Sequence, residues 1–226
     1  MSESDIAIVL LSAKVASVAI IAALAPAFAV AWVLARGAFP GKGVLQAVVT
    51  LPLVLPPVAT GYTLLSLFGS NGPLGRFFET VFGLTFAFRW TGAALAAGVM
   101  AFPLLVRPIR LSIEAVDQGL EEAARTLGAS RIMTFLTVTL PLVVPGVIAG
   151  AVLGFAKALG EFGATITFVS NIPGETQTLS LAIYSFMQSP TGDAAARRLI
   201  VISVAIAFAA ILASEWIAMW FRRRKS

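Results

Sequence analysis

Five stretches of this chain, at about 6–34, 44–68, 90–109, 136–159 and 199–221, are apolar runs of 20 or more residues. Runs of that length can cross a bilayer core of ~30 Å. In hydrocarbon the backbone must satisfy its own polar groups, which makes each run a helix. Only 12% of the residues are charged and 58% are hydrophobic, against about 25% charged in a soluble domain. The expected fold is therefore an all-α polytopic membrane protein with about five transmembrane helices. A sixth apolar patch, 176–188, is too short to span and reads as an interfacial or re-entrant helix.

Five spans put the termini on opposite sides. One set of connections then holds Arg36, Lys42, Arg107, Arg110, Arg125, Arg131 and the Arg222, Arg223, Arg224 and Lys225 cluster; the other holds Lys14, Arg76, Arg89, Arg197 and Arg198. Cations favour the cytoplasmic side, which makes the first set cytoplasmic and the amino terminus external. The net charge of +5 is thus a topology signal, with anionic lipid as a secondary contact, and not the footprint of a nucleic-acid binder. The acidic amino terminus (Glu3, Asp5) and its long apolar run do not resemble a cleaved signal peptide. The chain has no Cys and no His, which excludes disulfides, thiolate or imidazole metal sites and His-based acid–base chemistry. It also has no G-x-x-x-x-G-K-[ST] phosphate loop; Gly41-Lys42-Gly43 lacks the spacing. Energy for any transport must come from another subunit or an ion gradient, and no cofactor is expected on this chain.

The spans carry many helix-disturbing residues: Pro52, Pro56 and Pro57 in the second, Pro103 and Pro108 in the third, Pro141 and Pro145 in the fourth. Each removes a backbone donor, and the freed carbonyl must be satisfied by a neighbour or by water in a cavity. Ordinary kinked packing and the lining of a pathway both fit. Gly146, Gly150 and Gly154 form a smooth stripe on the fourth helix, suited to close packing within the chain or to a seam between two copies. Lys157 and Glu161 stand ~24 and ~30 Å along that helix from Pro141, near the outer interface. They read either as a partly solvated, snorkelling pair or as part of an outer gate or docking site for an external binding protein.

Between the third and fourth spans lies a charged, helix-prone insert, about 113–135. Asp117 is placed to cap a helix from Gln118 to Leu127. Gly128 suits the left-handed residue that ends it, and Ser130 can cap a second helix from Arg131. Glu121 and Arg125 are spaced i, i+4 in the favourable order. Leu120, Ala123, Ala124 and Leu127 share the opposite face. The periodicity alone fits a solvated loop helix.

Glu122-Ala123-Ala124, then Gly128, then Val138-Thr139-Leu140-Pro141 resembles the EAA signature of ABC importer permeases, with Val138 in place of the usual Ile. The resemblance implies a MetI-like ABC importer permease fold in which the insert is a coupling helix. It would dock into a groove of a cytoplasmic ATPase subunit, which binds the ATP. Glu122, Ala123, Ala124 and Gly128 would be its contact and turn residues, with Glu121 and Arg125 beside them.

Residues 51–62, Leu-Pro-Leu-Val-Leu-Pro-Pro-Val-Ala-Thr-Gly-Tyr, and residues 160–178, from Gly160-Glu161-Phe162-Gly163 to Gln177-Thr178, are similar to the permeases of molybdate ABC transporters. The likeness extends over nearly the whole chain, 1–226, as a single transmembrane domain. It implies an importer of a tetrahedral oxyanion, molybdate or tungstate, built from two copies of this chain, ATPase subunits and an extracytoplasmic binding protein in a bacterial inner membrane. Sulfate or thiosulfate permeases are similar around the insert and remain the alternative substrate reading. Pro56, Pro57, Lys157 and Glu161 are candidate gate or pathway residues. Thr165, Thr167, Ser170 and Asn171 offer hydroxyl and amide donors suited to an oxyanion, and no cation lies at mid-membrane to trap a dianion. A self-contained ion-coupled transporter or channel, with Lys157 and Glu161 as its coupling pair, is the reading from a different class. An intramembrane hydrolase would need a Ser–Lys pair for which Lys157 has no evident partner.

Overall fold

The structure is a computed structural model that describes residues 3–223. Helix α1 (Glu3–Arg36) is followed by α2 (Lys42–Val54), α3 (Pro57–Phe68), α4 (Pro73–Phe82) and α5 (Trp90–Glu114). The insert supplies α6 (Gln118–Thr126) and α7 (Arg131–Thr134), which runs through a π-turn, Phe135–Thr139, into α8 (Leu140–Leu159). Short helices α9 (Gly163–Val169) and α10 (Leu179–Met187) precede α11 (Asp193–Arg223). Among the described residues four helical stretches are long and apolar enough to cross a membrane, and five if α2 and α3, bent by 112° at Leu55–Pro56, count as one broken span. No strand occurs among the described residues. Arg224 and Lys225 of the basic tail lie outside the described residues.

Helix α5 is the centre. Of its most apolar window 67% is buried, against 11% for α11. Its buried side chains are mostly small, including Ala93, Ala96, Ala97 and Ala101, so α1 and α8 pack tightly on it. The glycine stripe serves that packing. A Cβ on Gly146 would meet Ser112 Oγ at 1.9 Å, one on Gly150 the Leu105 carbonyl at 3.0 Å, and one on Gly154 the Ile20 side chain at 2.9 Å. Of the two uses open to the stripe, contact within the chain is the one observed. The outer face of α11 carries exposed Val201, Val204 and Phe208, which no other part of the described chain covers.

Three expectations are corrected. The second span is not one helix: Leu55 and Pro56 are extended (ψ 145° and 130°), because a residue before proline is pushed out of the helical region and Pro56 precedes Pro57. The third span runs on past Ile109 to Glu114, through Pro103 and Pro108. The insert's second helix does not stand apart from the fourth span. Arg131–Leu159 is continuous, and its widened turn sits just ahead of Pro141, which has no N–H to return to Thr137.

Helix α4 was not foreseen. It places Phe77, Phe78 and Phe82 in an aromatic cluster with Phe68 and Phe86. The 176–188 patch yields only nine helical residues in α10, ~14 Å long. Leu179 and Ala182 there pack with Ile8 and Leu199, and Ser12 Oγ accepts the Leu179 N–H at 2.7 Å. Arg198 pairs with buried Asp5 at 3.4 Å. One end of the bundle thus gathers the amino terminus, α10 and the start of α11. The other carries the insert.

Candidate functional site

The insert is built from three local caps. Asp117 accepts the Gly119 N–H at 2.8 Å and starts α6. At the other end the Gly128 N–H donates to Arg125 O and the Ala129 N–H to Ala124 O, both at 3.0 Å, with Gly128 at φ +94°. That pair of bonds around a left-handed residue is a Schellman cap. Ser130 Oγ then accepts the Met133 N–H at 3.2 Å and opens α7.

Glu121 holds this unit to the spans. Its carboxylate accepts from Arg36 at 2.9 Å and from the Thr139 hydroxyl at 2.6 Å. One side chain therefore joins α6 to the last turn of α1 and to the π-turn. The expected Glu121–Arg125 side-chain pair is not formed: Arg125 Nε donates instead to the Glu121 carbonyl at 3.2 Å, while the carboxylate turns to Arg36 and Thr139, both on Oε1. Beneath it, Trp32 meets Phe135 edge-on at 5.3 Å, and the Arg36 guanidinium lies 5.9 Å from the Trp32 ring. Arg36 and Thr139 were missed in the sequence because they lie 85 and 18 residues from Glu121. The topology, which put Arg36 on the insert's side, was the one available signal.

The rest of α6 faces outward. Glu122 and Ala123 are exposed, Ala124 is half-buried, and Leu127 is 89% exposed. This apolar side is not covered by the chain's own core.

At the far end of α8, Lys157 pairs with Glu161. Glu161 is buried at 3% exposure, so the pair is solvated only on its lysine side. Its second oxygen accepts the Ala164 N–H at 3.1 Å, capping α9, where a helix start favours a negative charge. Thr165 is buried, Thr167 donates to Gly163 O at 3.0 Å, and Asn171 binds Ser185 Oγ and Leu181 O of α10. Ser170 is exposed and sits at φ 61°, ψ −164°, a region that only glycine adopts readily. Thr176, fully buried, clamps this bend: its hydroxyl donates to Ser170 O at 3.1 Å and accepts the Ile172 N–H at 2.8 Å.

Helix α9 leans on the start of α3 through two glycines, Gly61 and Gly163. A Cβ on Gly61 would lie 2.5 Å from Ala164 O, and one on Gly163 would lie 2.7 Å from the Pro57 ring. Pro56 and Pro57 are themselves exposed at the bend. The two ends of the molecule are therefore linked by the π-turn and α8, bonded to α6 at Thr139 and, through Lys157, to the Glu161 carboxylate that caps α9.

A multi-span helical protein with a capped polar insert at one end and a broken span beside a short docked helix at the other has the architecture of a membrane transport subunit. The profile of the family described as "Binding-protein-dependent transport system inner membrane component" matches residues 27–226, and the chain belongs to that family. It is 56% identical to "Molybdenum transport system permease protein ModB" of Escherichia coli K12, over 96% of this chain and 94% of that one. The Haemophilus influenzae protein of the same name is 51% identical over 97% and 96%. "Sulfate transport system permease protein CysT" of Salmonella typhimurium is 39% identical over 79% and 65%. Among solved structures, the inward-facing MetNI methionine ABC transporter superposes with a TM-score of 0.69 at 16% identity, covering 98% of this chain and 99% of that one. An amino acid ABC transporter gives 0.62 at 21% identity over 98% and 94%. The fold is that of MetI-like ABC importer permeases.

Proposed function

We infer that this chain is the permease subunit of an ATP-driven importer whose cargo is a tetrahedral oxyanion, molybdate or tungstate before sulfate. The observation that carries the reading is the 56% identity to a molybdenum permease along essentially the full length, in a chain whose insert is capped and tied to the spans. The insert end faces the cytoplasm, the amino terminus lies outside and the carboxy terminus inside, consistent with the cation bias. The whole chain, 1–226, acts as one transmembrane unit, pairs with a second copy and contacts bilayer lipid.

In this reading α6 docks on a cytoplasmic ATPase subunit. Glu122, Ala123 and Leu127 form the outward face, and Gly128 fixes its end. Glu121 turns inward and carries the displacement to α1 and α8. Nucleotide on the partner biases two pre-existing states, one open to each side. The chain itself holds no nucleotide and performs no covalent step. Pro56, Pro57, Thr165, Thr167, Ser170, Asn171, Lys157 and Glu161 frame the outer gate, as docked helices and caps more than as direct ligands. Affinity for the anion resides in the external binding protein. The sulfate reading keeps a place through the 39% identity to a sulfate permease.

Reconstitution with both partner proteins tests this. ATP-dependent molybdate uptake that sulfate competes only at large excess is the expected result. Gradient-driven uptake by this chain alone would overturn it.

A further inference from the structure

On the insert side of the bundle, a cavity of about 370 Å³ opens between α2 and α5. Its walls are apolar at Val49, Leu53 and Leu104, and its polar groups come from Gln46, Thr50, Arg107, Arg110 and Glu114. These groups are ordered. Arg110 donates to Gln46 Oε1 at 2.6 Å and to Glu114 at 2.7 Å. The Gln46 amide donates to the Thr50 hydroxyl at 3.1 Å. Arg110 and Glu114 cancel each other in charge. Arg107, one turn earlier on α5, is exposed and has no ion-pair partner among the described residues. The Thr50 hydroxyl in turn donates to Gln46 O at 2.8 Å, so the cavity carries one uncompensated cation beside a neutral polar wall whose groups are mostly bonded to one another.

We propose that this cavity is the inner release station for the translocated oxyanion, with Arg107 as its charge and Thr50 and Gln46 as its polar wall. The proposal rests on the importer reading and adds a site to it. A guanidinium fork matches the oxygens of a tetrahedral oxyanion. Arg107 stands 17 residues from Trp90, ~26 Å along α5, near the inner edge of a ~30 Å core. An anion leaving the hydrocarbon region meets its first positive charge there. The cavity holds roughly the volume of a dozen waters at ~30 Å³ each, so the anion enters it hydrated and is held weakly, as release requires. The same guanidinium chemistry would accept the phosphate of an anionic lipid.

The chain has no cysteine, so Thr50→Cys creates a single reactive thiol in it. The full complex, reconstituted with its ATPase side outward, is treated with a methanethiosulfonate reagent, and labelling of this chain is followed with and without millimolar sodium molybdate at matched ionic strength. Ala38→Cys, exposed in the α1–α2 connection, reports non-specific effects. Molybdate is expected to slow labelling of Thr50→Cys at least ~3-fold, leave Ala38→Cys unaffected, and lose its effect when Arg107→Gln is added. Equal rates with and without molybdate, protection that survives Arg107→Gln, or a thiol that never reacts would each overturn the proposal. Vesicles of phosphatidylcholine alone and with anionic lipid separate the two sources: slow labelling in anionic lipid that molybdate does not change assigns the charge to a headgroup and overturns the release station. ATP-dependent uptake by the parent chain is measured in the same vesicles. Its absence sinks the importer reading, whereas intact uptake without protection sinks only this site.

Discussion

Replacing Glu121 with alanine separates the roles of the two carboxylates of α6, Glu121 and Glu122. Glu121 makes two hydrogen bonds, to Arg36 at 2.9 Å and to Thr139 at 2.6 Å, at side-chain exposures of 15% for Glu121 and 18% for Arg36. Hydrogen bonds to a charged group contribute about 1.5–3 kcal/mol each. Partial exposure lowers the ionic share towards the ~1 kcal/mol upper range of surface pairs. Together the two contacts should stabilise the α1–α6–α8 junction by about 2–4 kcal/mol, and Glu121→Ala removes both. Glu121→Gln keeps an acceptor for Thr139 and loses the charge, so about half the effect remains.

Transport per ATP hydrolysed, in reconstituted complexes, is the assay. Glu121→Ala should still co-purify with the ATPase and still hydrolyse ATP, but its transport-to-hydrolysis ratio should fall several-fold and its thermal inactivation should begin earlier. Glu122→Ala, at an exposed position, should do the opposite: unchanged thermal behaviour of the isolated chain with weaker co-purification. A double-mutant cycle of Arg36→Met with Glu121→Gln should give a coupling energy of about 1 kcal/mol or more. Wild-type coupling ratio and wild-type thermal inactivation in Glu121→Ala would refute the reasoning.

Gly128→Val forces a β-branched residue to φ +94°, which costs about 1–2 kcal/mol; ATPase co-purification should drop, and normal stimulated hydrolysis would count against the docking role. Gly61→Leu drives a side chain into the Ala164 carbonyl, 2.5 Å from the ideal Cβ, so uptake should be lost while the ATPase still binds, and retained uptake would show that α9 need not stay docked. Ser170→Gly relieves about 1 kcal/mol of backbone strain and should raise the inactivation temperature by about 2–4 °C; an unchanged temperature would mean the bend is not strained. Gly150→Ala adds a methyl 3.0 Å from the Leu105 carbonyl and should lower transport per ATP more than ATPase binding, a split that a merely local packing fault would not produce.

What could be read from the sequence was what depends on neighbours in the chain. Asp117, Gly128 and Ser130 act within one turn, and all three caps form where the residue types predict. The Lys157–Glu161 contact is also local. The burial of Glu161 is not, because it depends on α9 folding back against α3. The prolines at 52, 56 and 57 signalled a disturbed span, but a 112° bend is set by what α3 packs on, and the fit of Gly61 to α9 leaves no periodic trace. Helix α4 was invisible because ten amphipathic residues between two spans look like a connection. The Glu121 contacts differ from the local expectation because an i, i+4 partner stood beside it in the chain, while its side chain bonds Arg36 and Thr139 from other elements.

The geometry gives α8 a role that neither end alone suggests. Arg131–Leu159 is one helical run of 29 residues, ~44 Å long, and reaches from the insert to the opposite end. Towards its insert end Thr139, the last residue of the π-turn, is bonded to Glu121 of α6. At its end Lys157 is paired with the carboxylate that caps α9, and α9 rests on the bent span through Gly61 and Gly163. Along its length α8 presents glycines to its neighbours: Gly146 lies against Ser112 and Gly150 against the Leu105 backbone of α5, and Gly154 against the side chains of Ile20 of α1 and Leu105. The π-turn lies between the insert and that smooth face, where a local change of helical pitch would move α8 without unfolding it. Spatial continuity is not itself energetic coupling; Glu121→Ala and Gly150→Ala supply the test, since they perturb the insert contact and the mid-helix α5 contact of the same route. If α8 transmits the stroke, both lower transport per ATP, and their effects combine less than additively because each breaks a link in series. Independent, additive losses would mean that the insert reaches the gate through α1 and Arg36 instead.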